Sequence, residues 1–164
     1  MGKQYFRLIS DVTILYPRDY ELVDPTILDP TSTSVLLPGE WLKVVTSGGD
    51  LKAQRGTGTE TVRAVGPWFA DSKGRTDVQS VKKAPLLMWG EFEGFTYICN
   101  TTALTTVGQP LSVADVTVDG LAGKRGLINA PSGAATLVVA KYMGPGDKTG
   151  EIRFLRQIPV TQVI

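Results

Sequence analysis

The sequence contains no histidine. That absence removes the usual general base, the Ser–His and Cys–His nucleophile pairs and the commonest zinc ligand. Cysteine occurs once, at Cys99, so no internal disulfide can form. It lies in an apolar strand-like run, Phe95–Cys99, and reads as a small buried hydrophobe. Net charge is almost missing as well: 17 Lys and Arg face 16 Asp and Glu, leaving +1. Such a balance sets up no field that would gather nucleic acid or an anionic membrane. The opening residues Met1–Phe6 lack the apolar core of a secretory leader. Gly94 to Ala114 carries no charge, but its many Thr residues, with Asn100, Gln109 and Pro110, argue against a membrane span. Helical periodicity is scarce too. The best window, Thr76–Lys83, offers only Val78 and Val81 at helical spacing before Pro85 closes it.

What is present points to strands. A chain of 164 residues can bury one proper core without a metal or disulfide staple. Its 18 glycines and 10 prolines punctuate short runs rich in threonine and valine, whose β-branched side chains suit a pleated surface. Such runs are Val12–Tyr16, Trp41–Thr46 between Pro38-Gly39 and Gly48-Gly49, Thr61–Val65, Leu86–Trp89 and Phe92–Cys99. Thr136–Tyr142 reads as the strongest central strand. Near the C-terminus Ile152, Phe154, Ile158 and Val160 share one face, with Arg156 the exception. A turn, a strand and a glycine corner recur at Gly39–Leu51 and at Gly108–Leu127. The expectation is a single all-β domain, a small barrel or sandwich, with at most one short helix.

Residues 17–38 stand apart. They contain Asp24-Pro25-Thr26 and Asp29-Pro30-Thr31, and proline pushes the preceding residue toward extended geometry. The segment is therefore expected to be extended, poor at self-pairing, and either a long surface connection or an arm across a neighbour. Other motifs favour bland readings. Gly56-Thr-Gly58 leads into a β-like run rather than a helix that would cradle phosphate. Asp19, Glu21, Asp24 and Asp29 match no calcium-loop spacing. Lys82-Lys83 and Lys124-Arg125 read as solvated turns. Asn100-Thr-Thr102 fits a glycosylation sequon by coincidence. Trp41 and Trp89 read as core residues, whereas Trp68, just after Gly66-Pro67, is the tryptophan best placed for exposure.

The texture of Thr106–Val113, Val118–Leu121 and Gly126–Ile128, with Leu37–Leu42 in the first half, resembles the head decoration proteins of tailed bacteriophages. The resemblance implies a small β-barrel or β-tulip that binds the major capsid protein on the outside of the virion. It also implies a homo-oligomer, often a trimer, and a protein made in the bacterial cytoplasm. From the composition and motifs above, no catalysis and no cofactor, metal, nucleic acid or membrane is expected. The contact residues would come from the proline-containing segment (Tyr20, Asp24, Pro25, Ile27, Leu28 and Pro30) and from Trp68 and Phe69. The uncharged span Gly94–Ala114 would either add subunit contacts or form a buried hairpin. Rival readings are a tail-tube or head-completion protein, a carbohydrate-binding module using Trp68, and an enzyme working on Glu91 and Glu93. Those two acids read more simply as one solvent-facing edge.

Overall fold

The computed structural model describes residues 3–9, 17–29, 31–56, 65–67, 83–87, 91–132, 136–156 and 161–163. The chain is all-β, and the single helical element among the described residues is a 3-10 turn at Pro25–Leu28. Six strands form the main sheet: β1 (Phe6–Leu8), β7 (Phe92–Thr96), β8 (Pro110–Val118), β9 (Leu121–Asn129), β11 (Ala140–Pro145) and β12 (Ile152–Arg156). They lie in the order β1-β7-β12-β11-β8-β9, antiparallel throughout, and the sheet curls into a half-barrel. A separate pair joins β10 (Thr136–Val138) to β13 (Thr161–Val163).

The other strands surround a second core. β3 (Trp41–Ser47) pairs with β4 (Asp50–Arg55) and β5 (Val65–Pro67), and β2 (Pro17–Glu21) pairs with β6 (Lys83–Leu87). A bridge from Leu22 to Ala53 carries β2 onto β4, and β5 comes within 8 Å of β6. The five strands thus follow one another around a small ring. Residues 17–21 are therefore a paired strand, contrary to the expectation of poor self-pairing. Two prolines are tolerated because the ladder is short, with Pro17 opposite Leu87 and Asp19 opposite Pro85.

The two glycine corners seen in the sequence are hairpin turns of one kind. Gly48-Gly49 joins β3 to β4 with φ of +64° and +89°, and Asp119-Gly120 joins β8 to β9 with φ of +49° and +77°. Two successive positive φ values give the turn whose twist matches the flanking strands, which is why Gly and Asp occupy it. The run Thr136–Tyr142 is not one strand. It breaks at Val139 into β10 and β11, and β11 takes the central place between β8 and β12. The uncharged span is not a hairpin either: β7 and β8 are separated in the sheet by β12 and β11, and an exposed loop joins them.

Three apolar clusters meet in one short segment. Trp41 packs with Phe6, Phe92, Phe154 and Leu111 against the main sheet. Leu42 packs with Leu22, Ile27, Leu28 and Leu86 inside the ring. They are neighbours on β3 and point to opposite faces because side chains alternate along a strand. Leu36 enters the ring cluster, while Leu37 joins Ile98, Val116 and Val118 in a third cluster. Leu36–Leu42 is thus a joint between all three cores, and burying each of its large side chains contributes about 1.5–3 kcal/mol. The turn inside the joint is Pro38-Gly39, closed by Glu40 N–H donating to Leu37 O at 3.1 Å. Gly39 has φ +91°, and a Cβ there would lie 2.7 Å from the Cβ of Phe6. Glycine satisfies both the left-handed backbone and the close approach of β1.

Candidate interaction surface

Buried charge marks a reactive site in many proteins. Glu40 is completely buried at the joint. Its carboxylate accepts from Leu37 N (2.7 Å), Arg55 Nε (2.9 Å), Arg55 Nη2 (3.1 Å) and Arg125 N (3.0 Å). Beside it, Arg55 Nη2 also donates to Ser34 O (2.7 Å) and Val35 O (3.0 Å). Lys124 Nζ donates to Thr33 O (3.1 Å) and to Val35 O. Three successive carbonyls of the segment leading into the joint are therefore capped by two cations. Burial holds the Lys124 ammonium below the ordinary lysine range, with the charge of Glu40 pulling the other way. Arg125 Nε donates to Gly56 O, and its guanidinium pairs with Asp115.

This corrects the reading of Lys124-Arg125 as a solvated turn. The pair lies within β9, where alternation turns Lys124 fully inward, and main-chain carbonyls stabilise its charge. A second network closes the far side of the main sheet. Arg7 stacks on the Phe95 ring at 3.8 Å and donates to Glu151 (3.3 and 3.1 Å) and Asp147 (2.8 Å). Arg156, inward on β12, lies 5.7 Å from the Trp41 ring and 5.8 Å from that of Phe92. Burial pushes its pKa down to about 10, so it stays charged at neutral pH. Glu93, on the outward face of β7, accepts from Arg153 at 2.6 Å, and Glu91 is exposed just before that strand. These charges brace strands against each other. Among the described residues, no three His, Cys, Asp or Glu side chains are grouped as metal ligands would be.

The surface of the proline-containing segment is built locally. Asp24 Oδ1 accepts from Thr26 N (3.0 Å) and Thr26 Oγ1 (2.6 Å), and Asp29 Oδ1 accepts from Thr31 N (2.9 Å) and Thr31 Oγ1 (2.7 Å). Asp24 and Asp29 are thus each tied to the threonine two positions on, and both are held below the ordinary carboxylate range by those bonds. Asp24 caps the 3-10 turn that starts at Pro25. Ile27 and Leu28, expected to meet a partner, are each only 8% exposed and pack in the ring core, with half-buried Tyr20 against the same cluster. Nearby apolar surface of the same chain has captured them. Val23, Asp24, Thr26 and Asp29 are left outside as a ledge. Pro30, Trp68 and Phe69 lie outside the described residues, as do Val12–Tyr16, Thr57–Ala64, Thr76–Lys82 and Trp89.

No family model, curated protein or solved structure matches the chain.

A second surface lies at the end of the main sheet where β8 begins. The loop Asn100–Gly108 holds no charged residue, and all of it except Leu104 is exposed. Gln109 organises it: Oε1 accepts from Thr105 N (3.1 Å) and Thr106 N (3.2 Å), and Nε2 donates to Ala103 O (2.6 Å) and Asn129 Oδ1 (2.6 Å). Asn100 Oδ1 accepts from Thr102 N at 2.9 Å, and Gly108 N–H donates to Tyr142 O at 2.7 Å. Sequence reasoning missed Gln109, Glu40 and Lys124 as organising residues. Each also bonds a distant residue that no local pattern marks: Glu40 with Arg55 and Arg125, Gln109 with Asn129, and Lys124 with Thr33 and Val35.

Proposed function

We propose that this chain is a non-catalytic structural protein of a tailed-phage virion, bound to the outer surface of the major capsid protein and reinforcing the shell. The observation that supports this best is the use of buried charge. Glu40, Lys124, Glu151 and Arg156 are all engaged in bracing strands or in contact with core rings. A rigid β body of this kind transmits load through packed cores and works through its surface. The sequence features that resemble decoration proteins belong to that frame: Leu37–Leu42 is the joint of the cores, and Asp119–Leu121 is the turn into β9.

The capsid-facing surface in this reading is the ledge Val23–Asp29. The turn that Asp24 closes with Thr26 holds its shape, so little conformational freedom is lost on docking. A stable contact needs on the order of 1,000 Å² in total, so the ledge would be the centre of a larger footprint. Its exposed acids, Asp24 and Asp29, suit a neutral or basic partner surface. The test is co-sedimentation with capsid shells stripped of their decoration. Saturable pelleting that is weakened by Asp24→Lys with Asp29→Lys supports the reading. A protein that ignores shells, or that assembles by itself into open rings or tubes, sinks it.

A further inference from the structure

We infer that Tyr5, Tyr97 and Asp119 form a receptor for a primary ammonium group, plugged by the chain's own Lys3 and open to a lysine side chain of a protein partner. The inference goes beyond the proposed function and stands whether or not that partner is a capsid. An occupant of the right chemistry is already seated. Lys3 Nζ donates to both carboxylate oxygens of Asp119, at 2.8 and 3.1 Å. It also lies 4.2 Å from the centroid of the Tyr97 ring and 5.7 Å from that of Tyr5. Both distances fall within the roughly 6 Å over which a ring face attracts a cation. The Lys3 ammonium first, and Tyr5 after it, hold the Asp119 carboxyl below the ordinary carboxylate range.

The receptor is fixed and its plug is not. Tyr97 follows β7 directly, and its N–H donates to Tyr5 O at 3.0 Å, so the pairing that carries both rings does not depend on Lys3. Asp119 is set by the β8–β9 hairpin turn, where it holds φ +49° beside Gly120. Lys3 lies before β1, and the two side chains of the ion pair are 38% and 44% exposed. Exposed pairs hold weakly, because water and salt screen them. Arg7 shows the contrast. It too stacks on a ring, that of Phe95, but its partner Glu151 is only 2% exposed, so that pair is locked. The Lys3 ammonium can instead be exchanged for another of the same chemistry. With Lys3 displaced, one carboxylate and two ring faces attract a cation and repel an acid. A quaternary ammonium fits less well, because it has no N–H to donate to Asp119.

The test is an NMR titration of the full chain with Nα-acetyl-lysinamide, read at the Tyr97 ring and the Gly120 amide. Wild type is compared with Lys3→Ala, alone and combined with Asp119→Asn or Tyr97→Leu. A tethered plug competes at a millimolar effective concentration, so removing it should tighten binding by about tenfold or more. An ion pair with only a structural role gives no such gain. Asp119→Asn or Tyr97→Leu in the Lys3→Ala background should weaken binding by about tenfold, and Nα-acetyl-norleucinamide, which lacks the ammonium, should not bind. Asparagine suits the positive φ of that turn, so Asp119→Asn keeps the hairpin, and matching thermal melts check this. Lys3→Ala that shows no saturable shift overturns the inference. Equal binding by wild type and Lys3→Ala overturns it as well, as does binding that survives the loss of Asp119 or Tyr97.

Discussion

Replacing Glu40 by alanine tests whether the joint is held by its buried carboxylate. The side chain is fully buried and accepts four hydrogen bonds, two from one guanidinium and two from main-chain amides. Removing it leaves Arg55 and two amides without their acceptor, and breaking a buried pair this way costs about 3–5 kcal/mol. For a domain of this size each kcal/mol moves the melting temperature by roughly 2–4 °C, so a fall of about 6–20 °C is expected. Glu40→Gln keeps the shape but loses the charge and turns one acceptor into a donor facing other donors. It should cost less than alanine but still about 1.5–3 kcal/mol. Urea titration of wild type, Glu40→Ala, Arg55→Leu and the double variant closes a thermodynamic cycle. The coupling between the two sites should lie between about 0.5 and 3 kcal/mol. An alanine effect below about 1 kcal/mol, or strictly additive single effects, would refute the reasoning.

Three further outcomes are expected. Gly39→Ala must place a side chain at φ +91° and against Phe6, so it should destabilise the fold by roughly 2–5 kcal/mol in chemical melts. Asp24 is held below the ordinary aspartate pKa by the Thr26 hydroxyl first and the Thr26 amide second. Because its folded pKa is depressed, its contribution is complete above the unfolded pKa and is lost as pH falls through the folded one. An NMR titration should find its midpoint low in wild type and nearer the ordinary value in Thr26→Val. The Cys99 thiol is pushed up to about 12 by burial and by the neighbouring charge of Glu151. Thiol reagents at mildly alkaline pH should therefore label it slowly in the folded protein and fully in urea.

The all-β class was legible because glycine and proline cut the chain into β-branched runs, and the paired corners at Gly48-Gly49 and Asp119-Gly120 are hairpin turns. Trp41 and Phe154 were legible as core residues from their apolar runs. Lys124 was not, because a lysine beside an arginine looks solvated until Thr33 and Val35, about ninety positions away, are seen to cap it. The two Asp-Pro pairs suggested an extended segment poor at self-pairing, either a long surface connection or an arm. Local side-chain bonds from Thr26 and Thr31 and the pull of apolar Ile27 and Leu28 decided the conformation instead. The uncharged loop Asn100–Gly108 was half legible. The uncharged span was visible in the sequence, but the Gln109 hub that shapes its loop depends on Asn129, twenty positions away.

The joint at Leu36–Leu42 also bears on how the chain reaches its native state. Seven consecutive residues reach into every core, so ordering them brings distant strands together at one step. Contacts in an antiparallel sheet of this kind are mostly long in sequence, which slows the search. A short segment touching all of them is where a transition state would gather its first long-range contacts. Conservative truncations at Leu36, Leu37 and Leu42 should therefore slow refolding, while equivalent losses at the sheet edges should chiefly speed unfolding. By the same logic the ring and the half-barrel cannot melt apart: the protein should unfold in one step, or not at all.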